Sequence, residues 1–325
     1  MSFDEYCLEQ FPSDDTVFYL WRNCPAVIIG RNQNAYAEVN LPYLEQEGIK
    51  LARRVTGGGA VYHDLQNLNY TIVGRSTDLD RDYPGYLSMV LEALRALGIP
   101  AEMTGRNDIV VEGRKVSGYA KRVYKDRLMV HGTLMYDVDL ERLTKALAVP
   151  GSKMDAAGIA SVRSRVANLR EYLPQFDSLD GLQAELERIL ADGDPQLFLT
   201  PEQEAVVGEI SRTKFSTWEW NFGESPKAGF RNAAKLPCGT VEVQCTVLHG
   251  RIHGLSFGGD FIGSLPAEEL AAALEGCRFD RAAVAGRLGG SGSAEDAGGL
   301  CDGAVAVGRY FDNTSPEDLA NLFTY

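Results

Sequence analysis

Three consecutive glycines, Gly57, Gly58 and Gly59, separate two short apolar runs, Leu51 to Val55 and Ala60 to Tyr62, and are flanked by Arg53, Arg54, His63 and Asp64. Three residues without a Cβ weaken a helix and leave nothing to pack, so the segment reads as a turn between strands. The same lack of side chains lets a phosphate or an acyl chain reach the main chain, with Arg54 beside it to neutralise charge. Alone, the glycines would serve a positive-φ turn equally well; next to Arg54 they favour a ligand. The run is not a Walker loop, because no Gly-Lys-Ser/Thr follows, and it is not a G-x-G-x-x-G that opens a helix.

Around this turn the chain reads as strands and helices interleaved. Thr16 to Trp21, Ala26 to Ile29, Asn69 to Val73 and His131 to Val138 have strand character, and Asp108 to Val111 with Lys115 to Tyr119 flank a hairpin turn at Glu112-Gly113-Arg114. Helical periodicity covers Tyr36 to Gln46, Tyr83 to Leu97, Leu140 to Leu147 and residues 178–212. At 325 residues the chain exceeds what one core usually supports, ~250–300 residues, so two domains are expected. The fold class is α/β (α+β): residues 1–223 form a larger domain, 224–231 a linker, and 232–325 a small α/β unit containing a Gly/Ser-rich tract from Gly289.

Charge and composition exclude several functions. With 32 Lys+Arg against 45 Asp+Glu, the net charge of −13 argues against a general nucleic-acid binder. No run of ~18 apolar residues suits a membrane span, and the acidic first twenty residues do not suit a signal peptide, so the cytoplasm is the expected location. The six cysteines form no C-x-x-C pair and read as scattered thiols; His249 and His253 fall in a hairpin pattern rather than a metal-binding helix.

Within this acidic chain, residues 112–127 carry six basic and two acidic side chains, and residues 153–170 carry four and one. The first island adjoins Gly105-Arg106-Asn107-Asp108 and Gly113-Arg114-Lys115-Val116-Ser117-Gly118. There a strand-borne Lys115 beside small neighbours would stabilise charge developing during acyl transfer. Asn107 and Asp108 offer oxygens suited to a hydrated Mg²⁺. The second island, Lys153 through Ser161, Val162 and Arg163 to Asn168, suits a loop that closes over an anion. Taken singly, these stretches also suit an exposed hairpin and a basic surface loop.

In this order, and together with Trp21-Arg22-Asn23, Gly30-Arg31-Asn32-Gln33-Asn34, His131-Gly132-Thr133-Leu134 and Trp218-Glu219-Trp220-Asn221-Phe222-Gly223, these motifs resemble the lipoate-protein ligase family. Residues 232–325 resemble the accessory domain of its long bacterial members. The resemblance implies a catalytic domain with the mixed sheet shared by biotin ligases and class II aminoacyl-tRNA synthetases. It implies ATP and Mg²⁺ as cofactors, lipoate and octanoate as substrates, and lipoyl carrier domains of the glycine-cleavage H protein and 2-oxoacid dehydrogenase E2 subunits as partners. By the same resemblance Lys115 is catalytic; Arg54, Gly57, Gly58, Gly59, Ala60, Val61, Tyr62, Asn107, Lys115, Lys153, Ser161, Val162 and Arg163 contact ATP or lipoyl-AMP. Arg31, Gly57, Gly58, His63, Lys115, Gly118, His131 and Gly132 surround lipoate, and Asp108 meets the metal. One departure is Ala157, where the family often carries a lysine. The alternatives are an ATP-independent lipoyl or octanoyl transferase using a cysteine, and a catalytically silent carrier-binding scaffold.

Overall fold

The computed structural model describes residues 1–12, 14–104, 108–147, 165–191, 193–289 and 307–324. They form two compact units: Met1–Gln33 with Glu38–Thr217, and Asn34–Ala37 with Trp218–Tyr325. The division falls between Thr217 and Trp218, and four residues from the N-terminal part of the chain group with the second unit.

The first unit is built on an antiparallel six-stranded sheet of order β1-β5-β9-β8-β7-β6. Its strands are β1 (Val17–Trp21), β5 (Asn67–Arg75), β6 (Ala101–Thr104), β7 (Asp108–Val111), β8 (Arg114–Tyr124) and β9 (Arg127–Met135). A second, mixed sheet orders β3-β2-β4, with β2 (Ala26–Ile29) parallel to β3 (Lys50–Arg53) and antiparallel to β4 (Val61–His63). This is the α/β architecture expected. The glycine turn therefore links β3 to β4, as its flanking strand patterns predict.

On one face of the large sheet, Leu68, Tyr70 and Ile72 of β5 and Val130 of β9 join a core with Leu87, Val90 and Leu94 of α3 (Leu79–Ala96) and Leu182 and Leu186 of α5 (Leu179–Leu190). Each such side chain, fully buried, contributes about 1.5–3 kcal/mol. Short helices α1 (Ser2–Glu9), α2 (Leu41–Gln46) and α4 (Leu140–Ala146) complete this part.

Several expected boundaries shift for local reasons. Helix α2 begins only at Leu41, where the Asn40 side chain accepts from the Tyr43 N–H, so residues 36–40 are not helical. The helical stretch expected over 178–212 is two helices, α5 and α6 (Pro201–Ile210). Gly193 at φ +80° and Pro195 end the first, and a Thr200–Gln203 capping box starts the second.

In the second unit, β10 (Ala228–Leu236), β11 (Gly239–Leu248) and β12 (Arg251–Phe261) form an antiparallel meander. Strand β10 thus begins inside the stretch 224–231 expected as a linker. Helices α7 (Ala267–Ala273), α8 (Arg281–Arg287) and α9 (Pro316–Ala320) follow. Phe279 packs edge-on against Phe230, 4.7 Å between centroids, and against Tyr36 at 5.1 Å. His249 and Gly250, both at positive φ, make the β11–β12 turn, so the His249/His253 pair lies on a hairpin.

Candidate active site

The face of the large sheet opposite its helical core is polar, and β5 shows why. All but the last of its residues are buried, yet Asn67, Asn69 and Thr71 alternate with Leu68, Tyr70 and Ile72. Polar side chains buried on one face of a strand need partners there. Across that face the register aligns Trp21, Asn69, Thr133, Gly118 and Asp108: Trp21 pairs with Asn69, Asn69 with Thr133, and Asp108 with Gly118. The Gly118 N–H donates to Thr133 Oγ1 at 3.2 Å.

Lys115 is three residues from Gly118, an odd spacing that in a regular strand would turn it to the opposite face. The register slips between Ile109 and Val110, so that Ser117 pairs with Ile109 but Lys115 pairs with Val110. This bulge re-aims the side chain. Lys115 Nζ consequently lies 2.7 Å from Asp108 Oδ1, each side chain 35% exposed.

A cavity of about 560 Å³ opens on this face, between the two sheets of the first unit. Lys115, Gly118, His131 and Gly132 line it from the large sheet, and Arg54, Gly59, Ala60, Val61 and His63 from the small one. Nine residues expected at the site are thus brought together. Arg31, Gly57, Gly58, Tyr62 and Asp108 are not in its wall; Tyr62 alternates with Val61 and His63 along β4 and is buried. Asn107, Lys153, Ser161, Val162 and Arg163 lie outside the described residues. Trp21, Ile28, Asn69, Tyr119, Ala120 and Thr133 also line the cavity and were not read as site residues.

Two arginines brace the loops at this end of the small sheet, Arg53 the 30–33 loop and Arg54 the glycine turn. Arg53 is fully buried and donates to the carbonyls of Gly30, Arg31 and Gln33, bracing the 30–33 loop. Arg54, 6% exposed, donates through Nη2 to the carbonyls of Gly57 (2.7 Å) and Gly59 (2.8 Å), through Nη1 to Ile28, and through Nε to Thr56 Oγ1 (3.0 Å). Burial lowers its pKa to about 10, and it stays charged at neutral pH. All these partners are carbonyls or a hydroxyl, and among the described residues no carboxylate pairs with it. A buried cation without a counter-ion is costly, and an anionic ligand beside it would offset that cost.

Only Gly58 has positive φ, +95°. A Cβ at Gly57 or Gly59 would meet nothing within 4 Å, so protein packing does not demand glycine at either position. What remains is open space beside Arg54. At the end of β4, His63 Nδ1 lies 3.1 Å from Asn23 Nδ2, and Nε2 is buried without a protein partner. Because the amide nitrogen donates, Nδ1 accepts and Nε2 carries the hydrogen. Burial first, then the Arg54 charge, lowers the imidazole pKa to about 3. The ring is neutral, with its Nε2–H buried.

Thiol chemistry finds little support. None of the five described cysteines lines the cavity, and burial raises Cys7 and Cys245 to about 12 and Cys277 to about 11.

Two cations lining one cavity, one without a carboxylate partner, and glycines that leave room beside them define a site suited to an anionic ligand. Comparison with known proteins narrows this class. The model of the "Lipoyl protein ligase A/B catalytic domain" matches residues 1–190, and that of the "Bacterial lipoate protein ligase C-terminus" matches residues 225–298. Lipoate-protein ligase LplJ of Bacillus subtilis is 34% identical, with 99% of this chain and 95% of that protein covered. The bipartite lipoate protein ligase of Thermoplasma acidophilum, studied with its E2 lipoyl domain, has a TM-score of 0.63 and 33% identity over 69% of this chain and 90% of that one. A lipoate-protein ligase A bound with ATP has a TM-score of 0.60 and 32% identity over 69% and 92%. The chain belongs to the lipoate-protein ligase family and carries both the catalytic and the C-terminal domain of its long bacterial form.

Proposed function

We propose that this ligase works in the cytoplasm, activating lipoate, and also octanoate, with Mg·ATP and transferring the acyl group to a lysine of lipoyl carrier domains, those of H protein and E2 subunits. The observation that carries the proposal is Arg54, a buried cation without a carboxylate, facing the same cavity as the bulge-aimed Lys115. Support for the nucleotide comes from the ATP-bound relative, and support for the carrier from the archaeal ligase described with its E2 lipoyl domain.

In the first step a lipoate carboxylate oxygen attacks the α-phosphorus of ATP. A carboxyl-oxygen-to-phosphorus bond forms and pyrophosphate leaves with the electrons of the broken bond. In the second, the carrier lysine's ε-nitrogen attacks the acyl carbon; the amide forms, AMP departs and the amine loses a proton to solvent. Neither step needs a covalent enzyme nucleophile, so the protein's task is positioning and charge stabilisation. Lys115 neutralises the carboxylate and α-phosphate oxygens. Arg54 holds the glycine turn and supplies field, while Gly57 and Gly59 leave room for the phosphate. The acyl chain lies along Trp21, Ile28, Val61 and Ala120.

Asp108 is a hard oxygen donor, a third exposed like Lys115 beside it, and hydrated Mg²⁺ needs only one or two such carboxylates. Among the described residues no set of three metal-ligating side chains converges, and Asp108 would hold a largely hydrated Mg²⁺. When bound, Mg²⁺ would neutralise phosphate charge.

Lys115→Ala tests the assignment. Lys115 is a third exposed, so its melting temperature should stay near that of the parent, while pyrophosphate release from lipoate and Mg·ATP falls about 10²–10³-fold. Undiminished release would remove Lys115 from the mechanism.

A further inference from the structure

Helix α1 contributes a carboxylate that the functional reading leaves unused. Asp4 is 1% exposed and accepts from Tyr19 Oη at 2.5 Å and from Thr71 Oγ1 at 3.1 Å. Its other oxygen lies 3.1 Å from His131 Nδ1. On the far side of that ring, Nε2 lies 2.7 Å from Thr56 Oγ1, and Thr56 Oγ1 in turn accepts from Arg54 Nε at 3.0 Å. The result is an unbroken chain from the N-terminal helix to the arginine that shapes the glycine turn.

The direction of each hydrogen bond follows from what each group can donate. Burial alone would raise the Asp4 pKa, but the positive N-terminus and the hydrogen bonds from His131 and Tyr19 outweigh it and hold the carboxylate well below its usual range. Asp4 therefore only accepts, and His131 Nδ1 must carry hydrogen. Arg54 Nε only donates, so Thr56 Oγ1 accepts from it and has one hydrogen to give. That hydrogen reaches His131 Nε2 only if Nε2 is bare. The order Arg54 to Thr56, Thr56 to His131 and His131 to Asp4 satisfies every member, with hydrogen on Nδ1 and a bare Nε2. The opposite tautomer would set two N–H groups against Thr56 Oγ1 and strand the hydroxyl hydrogen in a buried site, a penalty of the kind that makes half-satisfied networks unfavourable.

The geometry points to Asp4 and Thr56 as positioning residues for lipoate activation: Asp4 sets the His131 tautomer, His131 orients the Thr56 hydroxyl, and Thr56 fixes the guanidinium whose Nη2 curls Gly57 and Gly59. Neither residue lines the cavity. Their effect on the reaction passes through Arg54, and so it rests on the ligase reading above.

Two measurements separate this proposal from that reading. The first is the ¹⁵N spectrum of the four-histidine parent, with His131 assigned through His131→Gln. It should show His131 as the neutral Nδ1–H tautomer at pH 7.5, and Asp4→Asn should convert it toward Nε2–H. An Nε2–H or doubly protonated His131 in the parent overturns the relay, whether or not the protein activates lipoate. The second is pyrophosphate release from lipoate and Mg·ATP. Thr56→Val should lower kcat about a hundredfold, the scale of a misplaced reactive geometry. Thr56→Ser, which keeps the hydroxyl, should return it to within a few-fold of the parent. Asp4→Asn combined with Thr56→Val should be no slower than Thr56→Val alone, because both break one chain. A Thr56→Ser as slow as Thr56→Val, or single losses that multiply in the double variant, overturns the proposal. A parent that releases no pyrophosphate overturns the ligase reading and leaves the tautomer measurement to judge the relay.

Discussion

An alanine Cβ at Gly57 or Gly59 meets nothing within 4 Å, whereas one at Gly30 would lie 2.0 Å from the Gly58 carbonyl oxygen. These glycines are small for opposite reasons, and mutation should separate them. Gly30→Ala forces two backbone segments apart and should cost about 1–3 kcal/mol in chemical denaturation. Gly59→Ala should leave stability unchanged or raise it by a few tenths of a kcal/mol, since neither glycine needs positive φ. Its cost should fall on ligands: a methyl group in the space beside Arg54 is expected to raise the KM for ATP at least tenfold. A stable Gly30→Ala protein would refute the packing argument, and an unchanged KM in Gly59→Ala would refute the ligand one. The triplet and Arg54 were legible in the sequence because a run of glycines next to arginine is locally conspicuous. That Arg54 turns inward to shape the loop was not, since its acceptor Ile28 belongs to β2, a strand distant in sequence from the turn that holds Thr56, Gly57 and Gly59.

Strands carry the rest of the site, and they differ in how much they disclose. Strand β5 writes its two faces openly, Asn67, Asn69 and Thr71 against Leu68, Tyr70 and Ile72. Such alternation in a strand buried on both faces is a signal that would have found Asn69 in advance. Strand β8 conceals its bulge: nothing local to Lys115-Val116-Ser117-Gly118 announces that the pairing partner Val110 lies opposite Lys115, so the common face of Lys115 and Gly118 is a product of pairing. The contribution of α1 is still more remote, with Asp4 and His131 separated by 127 residues. Gly132 on β9 shows the same dependence on a neighbour. Its missing Cβ is occupied by Tyr70, whose hydroxyl would be 2.5 Å away, and by the Gly118 carbonyl at 2.8 Å. Gly132→Ala should therefore lose about 1–3 kcal/mol of unfolding free energy in protein without substrates. A loss under about 0.5 kcal/mol would mean that the β5–β9–β8 layer yields easily, and that Gly132 is glycine for its ligand instead.

Over the whole molecule, acidity and site chemistry are distributed apart. The net charge of −13 coexists with a cavity whose side-chain charges are Arg54 and Lys115, so the local field favours anions that the molecule as a whole repels. Global stability should also register the site's desolvation. His63 titrates near 6.5 in the unfolded chain and near 3 when folded. Between these values the unfolded state binds the extra proton, so stability is full above pH 6.5 and falls as pH drops through that window, by about 1.4 kcal/mol per unit. Unfolding free energies measured from pH 7 to pH 4 should show this slope, reduced by close to one proton in His63→Gln. An identical slope in the variant would place His63 in water rather than in the cavity wall. The full chain, with both units, is expected to join lipoate to a carrier by itself. Purified protein, lipoate, Mg·ATP and an apo lipoyl domain, followed by intact mass spectrometry of the carrier and quantification of AMP, test it directly. The carrier should gain the mass of one lipoyl amide, with one AMP formed for each group transferred; an unmodified carrier, or one modified equally well without ATP, would refute ATP-driven lipoylation by this chain.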